Sequence, residues 1–141
     1  MLKALIFDVD GTLAETEMAH LAAFNHAFVE VGLDWRWDVP LYNRLLAVSG
    51  GKERIKAYWQ TQANPPKDIS GAGMQETIDR LHEIKTAAYE QAVQDGAVQM
   101  RPGVLALLSA ASAAGLKLAI ATTTSPVNIA ALLRQAIGPD W

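Results

Sequence analysis

Cysteine is absent from the 141 residues, which excludes disulfides, thiolate metal sites and a cysteine nucleophile together. Any catalysis must use carboxylates, hydroxyls, lysine or histidine. Long runs of one charge are absent too, and the net charge is only -3, so no broad field favours a polyanion and nucleic acid is not an expected partner. No hydrophobic stretch is built to span a bilayer: the longest, 104–121, is cut by Gly115 and Lys117 and carries Ser109 and Ser112. The apolar residues before Asp8 are too few for a secretory leader, so a cytoplasmic location without a membrane partner is the default expectation. What is there is a chain 50% hydrophobic, enough for one modest core and too short for two independent domains.

Residues Leu2 to Phe7 form an apolar run that ends at Asp8, the pattern of a buried parallel strand. After Thr16, a candidate N-cap, Met18, Leu21, Phe24, Phe28 and Val31 recur at helical spacing until Gly32. Asp38 and Pro40 open a second helix that ends at Ser49-Gly50-Gly51. A third spans Glu53 to Gln62, the breaker-rich stretch Asn64 to Gly73 reads as a loop, and a long helix runs from Met74 to about Asp95, closed by Gly96. Pro102 and Gly103 introduce a helix through Ala114, Leu116 to Ala121 is a second strand, and Pro126 starts a last helix through Ile137. Two apolar strands joined by helices imply parallel pairing, with polar loops leaving both carboxyl ends on one side. Trp35, Trp37 and Trp59 are expected to pack helices together, and His26 has no assigned role.

The chemistry concentrates where the first strand ends. Asp8 and Asp10 are spaced i, i+2, which in extended chain puts both carboxylates on one side while Val9 points into the core. Adjacent carboxylates repel unless a cation or proton intervenes, so this arrangement suggests a divalent metal and one acid of raised pKa. Gly11 permits a tight turn, and Thr12 offers a hydroxyl and an amide to an oxyanion.

Asp8-Val9-Asp10-Gly11-Thr12-Leu13 resembles the first signature of the haloacid dehalogenase superfamily. That resemblance implies an α/β fold, a Rossmann-like parallel sheet with an inserted α-helical cap. It makes Asp8 the nucleophile that takes a phosphoryl group and Asp10 the acid that protonates the leaving alcohol and later activates water. The Asp8 carboxylate and the Asp10 backbone carbonyl would bind Mg2+. Leu118 to Thr122 resembles the second signature, so Thr122 would hold a phosphoryl oxygen. Thr123 and Thr124 could add backbone amides and Asn128 a side-chain donor, unless the threonine-rich turn merely leads to a helix cap at Ser125.

The division implied is core over 1–15, cap over 16–95 and core again over 96–141. The strings Gly11 to Glu17 and Ser49 to Ile55 are similar to the CbbY-type sugar-bisphosphate phosphatases of the phosphoglucomutase-like branch, which implies a substrate such as xylulose-1,5-bisphosphate. A second phosphate needs cations of its own. Gly50, Gly51, Lys52 and Arg54 are candidates, together with His82 and Lys85, which share a helix face at i, i+3; solvated surface charges are the alternative. Glu17 could accept substrate hydroxyls or simply favour a helix start, and His20 could orient the hinge or lie on the surface. The family's later lysine and acidic pair are not among the 141 residues. The expectation is therefore the N-terminal part of a phosphatase, inactive alone and association-prone, whose complete form is monomeric. A sugar-phosphate mutase and a non-catalytic binding protein are the other readings.

Overall fold

The computed structural model describes residues 1–66 and 73–141. Eight elements follow in order: β1 (Ala4–Phe7), α1 (Glu17–Val31), α2 (Val39–Leu45), α3 (Gly51–Thr61), α4 (Met74–Gln94), α5 (Val104–Ala113), β2 (Lys117–Ile120) and α6 (Pro126–Ala136). Local chemistry explains most boundaries. The Asp38 carboxylate accepts the Leu41 amide at 2.8 Å, with Pro40 in the first turn of α2. Gly32 closes α1 at φ 84°, its amide donating to the Phe28 and Val29 carbonyls. Asn64, Pro65 and Pro66 are irregular as expected, while 67–72 of that breaker-rich stretch lie outside the described residues.

The two strands pair in parallel, Ala4 beside Lys117 through Phe7 beside Ile120. This register brings the residues after Phe7 and those after Ile120 to the same edge, side by side. The expectation of buried strands is overturned: Ile6 is 70% exposed and Leu118 41%. Parallel strands are buried only where helices or further strands cover both faces, and among the described residues the sheet has two strands with much of its surface open.

Two apolar clusters flank the α1–α4 pair. One joins Phe24 and Phe28 of α1 to Trp35, Trp37, Tyr42, Ile55, Trp59 and Leu81, so the tryptophans pack helices as expected. The other joins Val9, Leu13 and Ala23 to Tyr89 and Val93 of α4 and to Leu132 and Leu133 of α6. Helices α1 and α4 thus contribute to both clusters. No described helix is long and apolar enough to cross a membrane.

Candidate active site

At the carboxyl end of β1 the chain turns at once. Gly11, at φ 73°, donates to the Ala14 carbonyl at 2.8 Å, and the amides of Thr12 and Leu13 converge on the Val9 carbonyl. Val9 is buried and its two acidic neighbours are not, as the alternation requires. The carboxylates then part company. Asp8 is exposed and, among the described residues, accepts only from the Thr12 hydroxyl, at 3.2 Å. Asp10 accepts from the Thr16 hydroxyl, from His20 and from the Thr124 hydroxyl. Thr16 occupies the N-cap position of α1 but makes no side-chain cap bond, because its hydroxyl is turned to Asp10.

The contact with His20 can be followed further. Its Nε2 lies 2.9 Å from Asp10 Oδ1, and its Nδ1 lies 2.9 Å from Nζ of Lys85, a residue only 4% exposed. An ammonium has only donors, so Nδ1 must be the acceptor and Nε2 must carry the ring proton. The imidazole is therefore neutral, donating to Asp10, and it stacks on Tyr89 with centroids 4.1 Å apart. Burial lowers the His20 pKa against the pull of the Asp10 hydrogen bond, and the Lys85 charge lowers it further. Burial also pulls Lys85 down to about 8, partly offset by Asp10 and Glu17. For Asp10, burial acts to raise the pKa but His20, Thr124 and Thr16 outweigh it, leaving the carboxyl well below its usual range. We expect nitrogen-15 shifts at neutral pH to show His20 as the Nε2–H tautomer; a doubly protonated ring would break this assignment.

These groups line one cavity of about 240 Å³, which also takes in Thr122, Thr123, Asn128, Glu17, Gly50, Gly51, Arg54 and His82. The sequence-derived candidates are thus brought together, with one exception. Lys52 does not line the cavity; its Nζ sits 2.7 Å from Asp79 Oδ1, and both side chains are about half exposed. Gly51 and Arg54 share the inner face of α3, and Lys52 lies a third of a turn around it.

Several roles also change in detail. Thr124 does not offer the cavity the backbone amide expected of it, since that amide donates to Thr122 Oγ1 at 3.1 Å, and its hydroxyl donates to Asp10. Thr122, having accepted that amide, keeps its own proton to donate. Asn128 is buried, with its Oδ1 unpartnered among the described residues. Arg54 donates to the carbonyls of Leu45 and Val48, fixing the turn into α3. His82 stands so close to Gly51 that a Cβ there would come 2.8 Å from its ring, which explains that glycine. Burial lowers the His82 pKa, as do Lys85 and Lys52.

Thr16, Tyr42 and Arg101 were not legible as contributors. Thr16 and His20 stand one turn apart on α1, a signal that could have paired them; Tyr42, which donates to Glu17, had none. Arg101 had none either: it donates to the Gly11 carbonyl at 2.7 Å and pairs with Glu15 at 3.1 Å, tying the turn after β1 to the segment before α5.

The donors present fit part of a hard-cation site. Asp8 has free carboxylate lone pairs, and the Asp10 carbonyl receives no hydrogen bond among the described residues. No group of three or more His, Cys, Asp or Glu side chains suited to a metal occurs among the described residues. Magnesium commonly takes one or two carboxylates and fills its shell with water and substrate oxygens.

The cavity lies at the ends of parallel strands and holds one free and one held carboxylate; comparison with known proteins gives the class of hydrolase to which such a chain belongs. The family model for haloacid dehalogenase-like hydrolases matches residues 2–141, and the chain belongs to that family. It is 56% identical to the plasmid-borne protein CbbY of Cupriavidus necator, covering 99% of this chain and 54% of that protein. Protein CbbY of Rhodobacter capsulatus is 47% identical over 94% of this chain and 55% of its own length. The chain thus spans about half the length of these relatives. The crystal structure of CbbY from Rhodobacter sphaeroides with phosphate superposes with a TM-score of 0.88, at 42% identity over 98% of this chain and 58% of that one. A mutant of the same protein in complex with xylulose-1,5-bisphosphate gives 0.87, at 41% identity over the same shares.

Proposed function

We propose that this chain is the nucleophile-bearing part of a magnesium-dependent phosphatase acting on a sugar bisphosphate. The observation that carries the reading is the unequal treatment of the two carboxylates: Asp8 is open to the cavity, while Asp10 is held and ionised by Thr16, His20 and Thr124. The similarity to CbbY, one of whose structures holds xylulose-1,5-bisphosphate, supports the substrate class. In this reading residues 1–15 and 96–141 form the catalytic core and 16–95 the cap.

Asp8 attacks phosphorus, the bond to the sugar oxygen breaks, and the departing alkoxide takes a proton from Asp10. To give that proton Asp10 must first leave its three donors, each of which stabilises the ionised form; losing them raises its pKa, so that it takes up a proton from solvent water before passing it to the alkoxide. Returned to those donors, it is again a base, able to take a proton from the water that hydrolyses the acyl phosphate on Asp8. Thr122 donates to a phosphoryl oxygen. The Asp8 carboxylate and the Asp10 carbonyl would hold Mg2+, which would neutralise phosphoryl charge there. Arg54 and Lys85 in the cavity lining provide the positive charge that a second phosphate needs, while His82, its pKa lowered by burial, offers a neutral imidazole.

The test uses the chain joined to the segment by which the Cupriavidus necator relative extends beyond the match, here the completed chain. With xylulose-1,5-bisphosphate and magnesium it should release inorganic phosphate, whereas residues 1–141 alone should not. An isomeric sugar phosphate as product would replace the phosphatase by a mutase. Tight binding without any product would favour a non-catalytic protein.

A further inference from the structure

Asp10 takes its hydrogen bonds from two sides: Thr16 and His20 stand at the start of α1, while Thr124 follows β2. That meeting depends on how residues 11–15 carry the chain from Asp10 to Thr16. Within this stretch the amides of Thr12, Leu13 and Ala14 converge on the Val9 carbonyl, and the Gly11 amide donates to the Ala14 carbonyl. Gly11 sits at φ 73°, with no heavy atom within 4 Å of where a Cβ would stand. A glycine directly after the acid, free of side-chain packing, is the loosest joint of the turn. Its conformation needs a restraint from outside.

Arg101 supplies it. Its guanidinium donates to the Gly11 carbonyl at 2.7 Å and to Glu15 Oε1 at 3.1 Å, and its amide donates to the Leu13 carbonyl at 2.8 Å. One residue thus holds positions 11, 13 and 15. Its side chain holds the two ends, the residue after Asp10 and the residue before Thr16. A planar fork can keep two acceptors in a fixed relation, which a single ammonium does not. Ala14, fully buried, bridges to Met100 and keeps the two segments side by side. The Glu15 pair is largely exposed and adds little to stability, so its effect is to aim the guanidinium at Gly11. Arg101 lies outside the cavity lining and therefore acts on the site through residues 11–15.

We propose that Arg101 is a positioning residue for Asp10: by clamping both ends of 11–15 it keeps the carboxyl group where Thr16, His20, Thr124 and the leaving oxygen of a substrate can all reach it. This rests on Asp10 being the acid of the reaction proposed above. Substrates differ in their need of that acid. When Asp8 displaces a sugar alkoxide from phosphorus, the departing oxygen takes a proton from Asp10. When it displaces acetate from acetyl phosphate, the same bond forms at phosphorus, but acetate leaves with its electron pair as a stable anion and needs no proton. A strap that served only the fold would alter the amount of active protein and slow both substrates alike.

The experiment measures kcat/KM of the completed chain, with magnesium, for xylulose-1,5-bisphosphate and for acetyl phosphate. This constant covers the steps up to departure of the leaving group and leaves out hydrolysis of the acyl phosphate. Asp10→Asn should lower the ratio of sugar to acetyl substrate by about 100-fold or more. Arg101→Gln should lower it about fivefold or more, as a displaced acid does. Arg101→Met carries the test if near-UV circular dichroism shows that Arg101→Gln does not fold. Amide hydrogen exchange of residues 1–141 without magnesium adds a reading free of turnover: the Gly11 amide should exchange about fivefold or more faster in the Arg101 variant. Unchanged exchange at Gly11 overturns the proposal. So does an unchanged ratio in a folded Arg101 variant when Asp10→Asn shows the loss, which leaves the acid role of Asp10 standing. If Asp10→Asn itself leaves the ratio unchanged, Asp10 is not the acid, and the proposed mechanism falls together with this inference.

Discussion

Asp8→Asn in the completed chain should reduce phosphate release by roughly 10⁴-fold or more, the order found when a covalent nucleophile is removed. An amide oxygen does not attack phosphorus at a useful rate, and the change also removes the charged ligand of the proposed cation. The fold should be untouched, because Asp8 is exposed and, among the described residues, accepts only the Thr12 hydroxyl. Steady-state release of phosphate with matched far-UV circular dichroism is the measurement. Appreciable turnover by a pure, folded Asp8→Asn variant would take the nucleophile role from this residue.

Lys85→Met should move stability and activity in opposite directions. The lysine is buried and its pKa is lowered to about 8 from 10.5, so the folded state binds its proton more weakly than the unfolded state does. The sign follows: the charged lysine penalises the fold fully below about pH 8, and the penalty fades as pH rises toward 10.5, where the unfolded chain loses the proton too. The methionine variant should therefore be more stable at pH 7, by about 1 to 3 kcal/mol, with the advantage vanishing above the ordinary lysine pKa. Denaturant melts at pH 7 and pH 10.5 check this, and equal differences at both would contradict it. Turnover of the completed chain should fall about 10- to 100-fold, since His20 loses the partner that fixes its tautomer and with it the hold on Asp10.

How far the sequence foretells this site depends on whether the signal is local. The turn after β1 was legible because Val9 between two acids, followed by Gly11, states a strand end and its two faces within a few residues. The ends of α1 and α2 were equally legible from Gly32 and from Asp38 with Pro40. His82 and Lys85 were correctly placed on one face by their spacing, but spacing carries no depth. Lys85 reads as a surface cation, and only the packing of α4 on α1 shows it buried against His20. The position of Lys52 was not legible for a related reason: two glycines before a cation suggest an anion loop, whereas α3 begins at Gly51 and its first turn carries the lysine outward to Asp79. Tyr42 and Arg101 act through contacts 25 and 90 residues away in sequence, which no local pattern encodes. The open sheet was misread because an apolar strand looks the same whether its neighbours are present or not.

The central claim is that Asp8 receives the phosphoryl group. Rapid acid quench of the completed chain during turnover of xylulose-1,5-bisphosphate, followed by peptide mass spectrometry, tests it most directly. The account predicts one added phosphoryl group on Asp8, absent from Asp8→Asn. Turnover with the label on another residue, or with a label that persists in Asp8→Asn, would contradict it.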